Sequence, residues 1–206
     1  MIAPLTLDLA AVAVFALTGA LVASRAQLDI IGFFFVACLT AVGGGTLRDL
    51  ILDAPVFWMA NPAPLAIACG AALVVFLTAH LLESRYKTLL WLDAGALSIA
   101  VAAGVGAATN LGHSAPIVLV MGVVTGTFGG LMRDVVCNEV PLVLKQGELY
   151  VTAAAAGAGA ALLTPLITDI AVAPLAACVA TTFLLRAGSM AFGWRLPVYK
   201  PRPPRI

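Results

Sequence analysis

Charge is what this sequence has least of. Only 10% of its 206 residues are Asp, Glu, Lys or Arg, while 62% are hydrophobic, against about 25% charged and 45–50% apolar in a soluble domain. A water-soluble globule is thereby excluded. No sign of charge dominates either: eleven Lys and Arg stand against ten Asp and Glu, a net charge of +1. That balance removes the basic footprint of nucleic-acid binding. The cysteines are few and solitary. Cys38, Cys69, Cys137 and Cys178 lie in apolar stretches without CxxC or Cys/His ligand spacing, so they read as small buried hydrophobes. Also missing are a nucleophile–base pairing, a metal-ligand cluster and a phosphate loop, since Gly43–Gly45 lacks the Gly-Lys-Ser/Thr that completes one. An enzyme, a resident metal and a cofactor are therefore not expected.

What remains is apolar length. A hydrocarbon core of about 30 Å takes roughly 20 apolar residues per helix, so the uncharged intervals become candidate spans. They place seven helices near 5–24, 30–50, 62–83, 91–109, 115–137, 148–168 and 170–190. The interval from Ala94 to Met132 is divided by the turn formers of Thr109–Pro116. The first span is kept as a mature helix, because no Lys or Arg precedes it as in a signal peptide. Residues 1–190 thus form one transmembrane domain, and 191–206 a basic, proline-rich tail.

Basic residues set the orientation, since they gather in short cytoplasmic loops. Arg25, Arg85, Lys87, Lys145, Arg186, Arg195, Lys200, Arg202 and Arg205 all fall on one side of the seven-span scheme. The N-terminus is expected outside and the C-terminus inside. Trp58, Trp91, Trp194 and Tyr199 read as bilayer-interface anchors, and His80 and His113 as interfacial. The tail attracts either anionic lipid headgroups, at about 1 kcal/mol per basic residue, or a soluble partner.

A shift of 85 residues aligns Asp8 with Asp93, Gly19 with Gly104, and Thr40 with Thr125. It also carries Gly44, Gly45, Arg48 and Asp49 onto Gly129, Gly130, Arg133 and Asp134. The shared Thr-x3-Gly-Gly-x2-Arg-Asp is informative because charges are so rare here. Each copy holds three spans, and an odd number turns the second copy upside down in the membrane. The fold class expected is an all-α polytopic membrane protein with an inverted 3+3 repeat, about 5–83 and 91–168, plus a seventh helix at 170–190.

The candidate functional residues lie on the second and fifth spans: Thr40, Gly43, Gly44, Gly45, Arg48 and Asp49, then Thr125, Gly129, Gly130, Arg133 and Asp134. Each glycine weakens a helix by about 1 kcal/mol relative to alanine, so a break beside a polar pathway is expected at Gly43–Gly45. Close packing of a small-xxx-small ridge is the competing reading. Arginines at membrane depth mark either a functional site or helix-end anchors at the interface. Because neighbours at i and i+1 do not face one another, no local Arg48–Asp49 or Arg133–Asp134 bond is expected, whereas an inter-repeat exchange is conceivable. Asp8, Asp93 and Asp29 read foremost as helix N-terminal carboxylates, with a cation-attracting vestibule as the alternative for each.

These motifs, with Gly19-Ala20, Asp29 and Pro55, resemble the prokaryotic TRIC family of trimeric intracellular cation channel homologues, whose bacterial members also carry the label of glycine transporters. The resemblance implies a homotrimer in a bacterial inner membrane and a potassium-permeable pore inside each protomer, around the second and fifth spans. One departure is Phe128 where the first copy has Gly43. A passive channel for potassium or another monovalent cation is the expectation, with the arginines paired or acting as gates. A carrier for a small neutral amino acid such as glycine is the rival, and a lipid-binding or assembly protein a third class.

Overall fold

The computed structural model describes residues 2–81 and 85–199; residues 82–84, at the end of the third expected span, and the tail's Lys200, Arg202 and Arg205 lie outside them. The described chain forms α1 (Ile2–Arg25), α2 (Ile30–Ile51), α3 (Phe57–Ala60), α4 (Ala63–Thr78), α5 (Arg85–Asn110), α6 (Ala115–Val136), α7 (Val151–Leu163) and α8 (Ala173–Phe192). A 3-10 turn extends α4 through Ala79–Leu81, and another extends α7 through Thr164–Leu166.

Among the described residues, six helices are long and apolar enough to cross a membrane; Val151–Leu166 is apolar but shorter. The sixth span, expected from 148, starts late because Gly147 turns at φ +79° and its carbonyl accepts from Leu196 N at 2.9 Å. Pro165, without an N–H, sits in the 3-10 turn that ends it. At 1.5 Å per residue this helix reaches roughly 24 Å, against a core of about 30 Å.

The duplication is visible in how helices stop. α2 and α6 begin and end at positions 85 apart, and each is followed by a residue in the left-handed region, Asp53 at φ 52° and Asn138 at φ 54°. Asp and Asn tolerate that region because their short polar side chains hydrogen-bond locally. Asp29 caps α2 as expected, its Oδ1 accepting from Gly32 N at 2.8 Å.

Small residues bring the helices together. Ala16, Ala20 and Ala23 of α1, Ala94 and Ala96 of α5, and Ala153, Ala154 and Ala158 of α7 are wholly buried, as suits packing without a hydrophobic drive between spans. α1 and α5 lie side by side at the centre, α2 packs on α1, α6 on α5, and α2 meets α6. α4 leans on α1 and α2; α8 covers α5 and α7. Near the end of α1, Arg25 stacks on the Tyr86 ring of early α5, 4.6 Å from its centroid. Thr18 and Asp93 share the Arg133 guanidinium one helical stretch further in. The equivalent helices α1 and α5 therefore run antiparallel.

One end of the bundle gathers several connections. Arg25 pairs with Glu139 at 3.2 Å, Lys145 hydrogen-bonds the Tyr86 hydroxyl, and the backbone at Glu148 pairs antiparallel with that at Arg195 beyond α8. Arg186 does not belong to this polar surface as the basic-residue pattern expected. It lies inside α8 and is fully buried, because α8 continues to Phe192.

Candidate functional site

Both glycine-bearing helices are uninterrupted, α2 from Ile30 to Ile51 and α6 from Ala115 to Val136. The expected break at Gly43–Gly45 is absent, and the glycines serve a close crossing instead. A Cβ on Gly44 would collide with the Thr125 carbonyl oxygen, and one on Gly129 with the Thr40 carbonyl oxygen. Each helix thus seats its glycine on the other's threonine carbonyl. Gly19 and Gly104 complete the pattern from α1 and α5: an added Cβ would stand 2.7 Å from Thr40 Oγ1 and 2.5 Å from Thr125 Oγ1, respectively. Gly45 packs under the Phe57 ring, and Gly130 faces Tyr150 and Arg133.

Thr40 and Thr125 donate their hydroxyl hydrogens to Val36 O and Met121 O, each at 2.6 Å. Their proton is committed to their own helix, so what they can offer a neighbour is oxygen lone pairs. A cavity of about 10 Å³ runs beside the crossing, bordered by Asp8, Thr40, Gly44, Gly45, Phe57 and Thr125. It is about the size of one water.

The arginines are not interfacial anchors. Arg48 and Arg133 are 2% and 0% exposed, and each is held by two carboxylates of its own repeat. Arg48 Nη1 and Nη2 donate to Asp8 Oδ1 and Oδ2 at 2.8 and 3.3 Å, and its Nε to Asp49 Oδ1 at 2.8 Å. Arg133 Nη1 donates to Asp93 Oδ1 at 2.9 Å and to Thr18 Oγ1 at 2.9 Å, and its Nε to Asp134 Oδ1 at 2.8 Å. The second carboxylate oxygens of Asp49 and Asp134 accept from Phe57 N and Leu142 N, both at 2.9 Å.

Three expectations are corrected here. The sequential Arg–Asp bond exists in both copies, because the aspartate stands in the last turn of its helix, where its carboxylate also reaches the backbone beyond. No Arg48–Asp134 or Arg133–Asp49 exchange is present among the described residues; the clusters sit toward opposite ends of the antiparallel α1–α5 pair. Asp8 and Asp93 are not caps, since α1 begins at Ile2 and α5 at Arg85. They are the arginines' principal partners, and the separation of 40 residues between Asp and Arg in both halves was the available signal. Thr18, Tyr150 and Arg186 carried none: Thr18 and Tyr150 match no polar residue 85 positions away, and Arg186 has no repeat partner.

The two clusters are alike in charge and unlike in surroundings. Each sums one guanidinium against two carboxylates, a net negative charge if all are ionised. The cavity reaches the first cluster at Asp8 and Phe57, and the Phe57 ring centroid is 5.7 Å from the Arg48 guanidinium carbon. Around Arg133 the packing is closed; Asp93 Oδ2, Arg133 Nη2 and the Tyr150 hydroxyl are buried with no hydrogen-bond partner among the described residues. The remaining expectations divide. Trp58 is tied inward, its Nε1 donating to Thr46 Oγ1 at 2.8 Å, while Trp91 and Tyr199 are exposed. Cys178 is buried, but Cys38, Cys69 and Cys137 are only half-buried.

A bundle of long apolar helices that buries two carboxylate-bound arginines defines an all-α polytopic membrane protein. Comparison with known proteins takes this further. A family profile described as "Glycine transporter" matches twice, at residues 5–80 and 90–166, with starts 85 residues apart. The chain is 39% identical over 156 residues to the inner membrane protein YadS of Escherichia coli K12, covering 73% of each. It is 38% identical over 201 residues to a membrane protein of Vibrio cholerae, covering 94% of this chain and 81% of that one. Among solved structures, the TRIC trimeric intracellular cation channel orthologue of Rhodobacter sphaeroides superposes with a TM-score of 0.88 at 42% identity, covering 94% of this chain and all of that one. A trimeric intracellular cation channel of C. elegans shares the fold at a TM-score of 0.62 and 16% identity. The chain belongs to the prokaryotic TRIC family, whose bacterial members also carry the names UPF0126 and glycine transporter. It is a multi-pass membrane protein and not an enzyme.

Proposed function

We propose that this chain is a passive monovalent-cation channel of the bacterial inner membrane, potassium being its main ion, with one pore in each protomer of a homotrimer. Seven spans, arranged as an inverted 3+3 repeat plus α8, place the N-terminus outside and the C-terminus in the cytoplasm. The pore runs along the seam of α1, α2, α5 and α6, past the threonines at the glycine crossing. Thr40, Gly43, Gly44, Gly45, Thr125, Gly129 and Gly130 form its middle, and Arg48 with Asp49 and Arg133 with Asp134 its two gates.

The observation that carries this reading is that each buried arginine is outnumbered two to one by carboxylates, with threonine lone pairs between the clusters. A lone arginine in a narrow passage repels cations; here each cluster attracts them. Oxygen ligands that replace hydration water are the means by which a pore accepts an alkali cation. Arg133, reaching from α6 to Thr18 on α1, closes the seam, and its displacement opens it. Moving one charge through the field is worth about 2.3 kcal/mol per 100 mV, so opening depends on voltage.

The glycine-carrier reading draws on the family's other name. The seam cavity has room for about one water and none for an amino acid, which favours the channel. Reconstitution in planar bilayers decides between them: unitary currents reversing at the potassium equilibrium potential are expected. Saturable glycine counterflow without such currents would replace the proposal.

A further inference from the structure

Toward its C-terminus α8 is sealed: Arg186 is fully buried, 2.7 Å from Glu148 Oε2 and 5.0 Å from the Tyr150 ring centroid. Its beginning, at the other end of the bundle, is open. A cavity of about 330 Å³ lies there between the last turns of α5, the end of α7 and the start of α8. Gly106, Thr109 and Asn110 border it from α5, Ala161 from α7, and Pro174 and Leu175 from α8.

The two repeats differ at this place. A shift of 85 residues sets Leu21 against Gly106, and a shift of 86, the spacing of Pro55 and Pro141, sets Val75 against Ala161. Leu21 and Val75 are both buried in the core that joins α1 to α4. The second repeat therefore carries smaller residues where the first is filled. Packing does not demand the glycine, since a Cβ on Gly106 would meet only Leu175, at an ordinary 3.7 Å.

The rim of the cavity says what fills it. Leu166 and Ile167, at the end of α7, are 81% and 86% exposed, and Leu163, Ile170 and Val172 are exposed as well. Such a patch faces hydrocarbon, and the short α7 stops about 6 Å inside the core thickness, so the cavity opens to lipid. On the other side of Leu175 a groove of about 510 Å³ runs between α1 and α8, lined by apolar residues and Thr6. The two recesses share Leu175, so both chains of one lipid reach them. No Lys or Arg occurs from 146 to 185, while Asp169 is exposed in the connection between Pro165 and Ala171. That carboxylate disfavours an anionic headgroup and suits an ammonium.

We infer that the start of α8 binds a diacyl phospholipid with an amine-bearing zwitterionic headgroup, the chemistry of phosphatidylethanolamine. One acyl chain occupies the cavity left by Gly106 and Ala161, and the other the groove beside α1. Thr109 and Asn110 offer hydrogen-bond donors to the ester oxygens at the mouth. The site is separate from the seam and does not require the channel reading.

Reconstitution into phosphatidylethanolamine vesicles containing a tracer with a diazirine in its acyl chain tests this. After illumination, peptide mapping should find segments 105–110 and 161–175 labelled about fivefold more than Leu73, Val74 and Leu77 of α4, which are also exposed. Gly106→Phe, filling the cavity, should remove that excess and leave the α4 label unchanged. Gly106→Leu, the residue of the first repeat, replaces it if phenylalanine prevents folding. Added phosphatidylethanolamine should compete with the tracer more strongly than phosphatidylglycerol. Equal labelling of the two faces, an excess that survives both variants, or stronger competition by phosphatidylglycerol overturns the inference. So do unlabelled cavity segments, the result expected if a second copy of the chain covers them.

Discussion

Gly44→Ala is the sharpest probe of the helix crossing. The new methyl carbon would fall onto the Thr125 carbonyl oxygen, with the carbonyl carbon 3.2 Å away. Both are backbone atoms, so no side-chain rotation relieves the clash and α2 must move off α6. Overpacking of this kind costs about 1–3 kcal/mol, against a helix-propensity gain of about 1 kcal/mol for replacing glycine. The other glycines supply the controls. At Gly43 the obstruction is the terminal methyl of Met132, which swings aside; at Gly70 and Gly95 nothing lies within 4 Å. Gly43→Ala should be near neutral, Gly70→Ala and Gly95→Ala neutral or stabilising, and Gly129→Ala should match Gly44→Ala because its clash is the mirror image. Thermal unfolding in detergent reads the difference, at roughly 2–4 °C per kcal/mol for a chain of this size. If Gly44→Ala melts with Gly70→Ala, or if Gly44→Ala and Gly129→Ala differ widely, the reciprocal crossing is wrong.

Asp93→Asn should destabilise by about 3–5 kcal/mol, the cost of leaving a buried partner uncompensated, and Asp8→Asn by less, because its carboxylate borders a cavity; chemical denaturation of the two variants compares them. Thr125→Val keeps shape and loses only a hydroxyl bonded to its own helix, so folding should change by about 1 kcal/mol while potassium conductance in planar bilayers falls severalfold; unchanged current would remove the threonines from the path. Neutralising Arg133 as Arg133→Gln should raise open probability and flatten its voltage dependence, and wild-type gating would return that residue to a purely structural role. The Cys38 and Cys69 sulfurs lie 3.8 Å apart across α2 and α4, so diamide, reduced to its hydrazine, should join them with loss of two hydrogens, visible by intact mass and absent in Cys38→Ser.

Much of this molecule could be read from its residues. Scarcity of charge makes uncharged intervals into helices, and repetition makes rare residues conspicuous, so the Thr, Gly, Arg and Asp positions stood out in both halves. Their partners were harder to see. That Arg48 reaches Asp8 depends on α1 lying against α2, which no local pattern encodes. The glycine triplet was ambiguous because low helix propensity and close packing leave the same mark; Thr125 facing Gly44 resolves it in favour of packing. Gly43 differs from Gly44 by the same geometry, since what it meets is the flexible end of Met132 and not a backbone. The cluster of Tyr150, Arg186 and Glu148 lay beyond sequence reading because α8 has no counterpart to compare.

The reciprocal seating of Gly44 and Gly129 has an evolutionary corollary. A half-length ancestor would offer the same glycine and the same carbonyl to a sister molecule inserted the other way up, so two separate copies already possess a complete handshake. Gene fusion then adds no new contact; it fixes the stoichiometry of the pair and frees each half to diverge, as the unlike surroundings of the two arginines record.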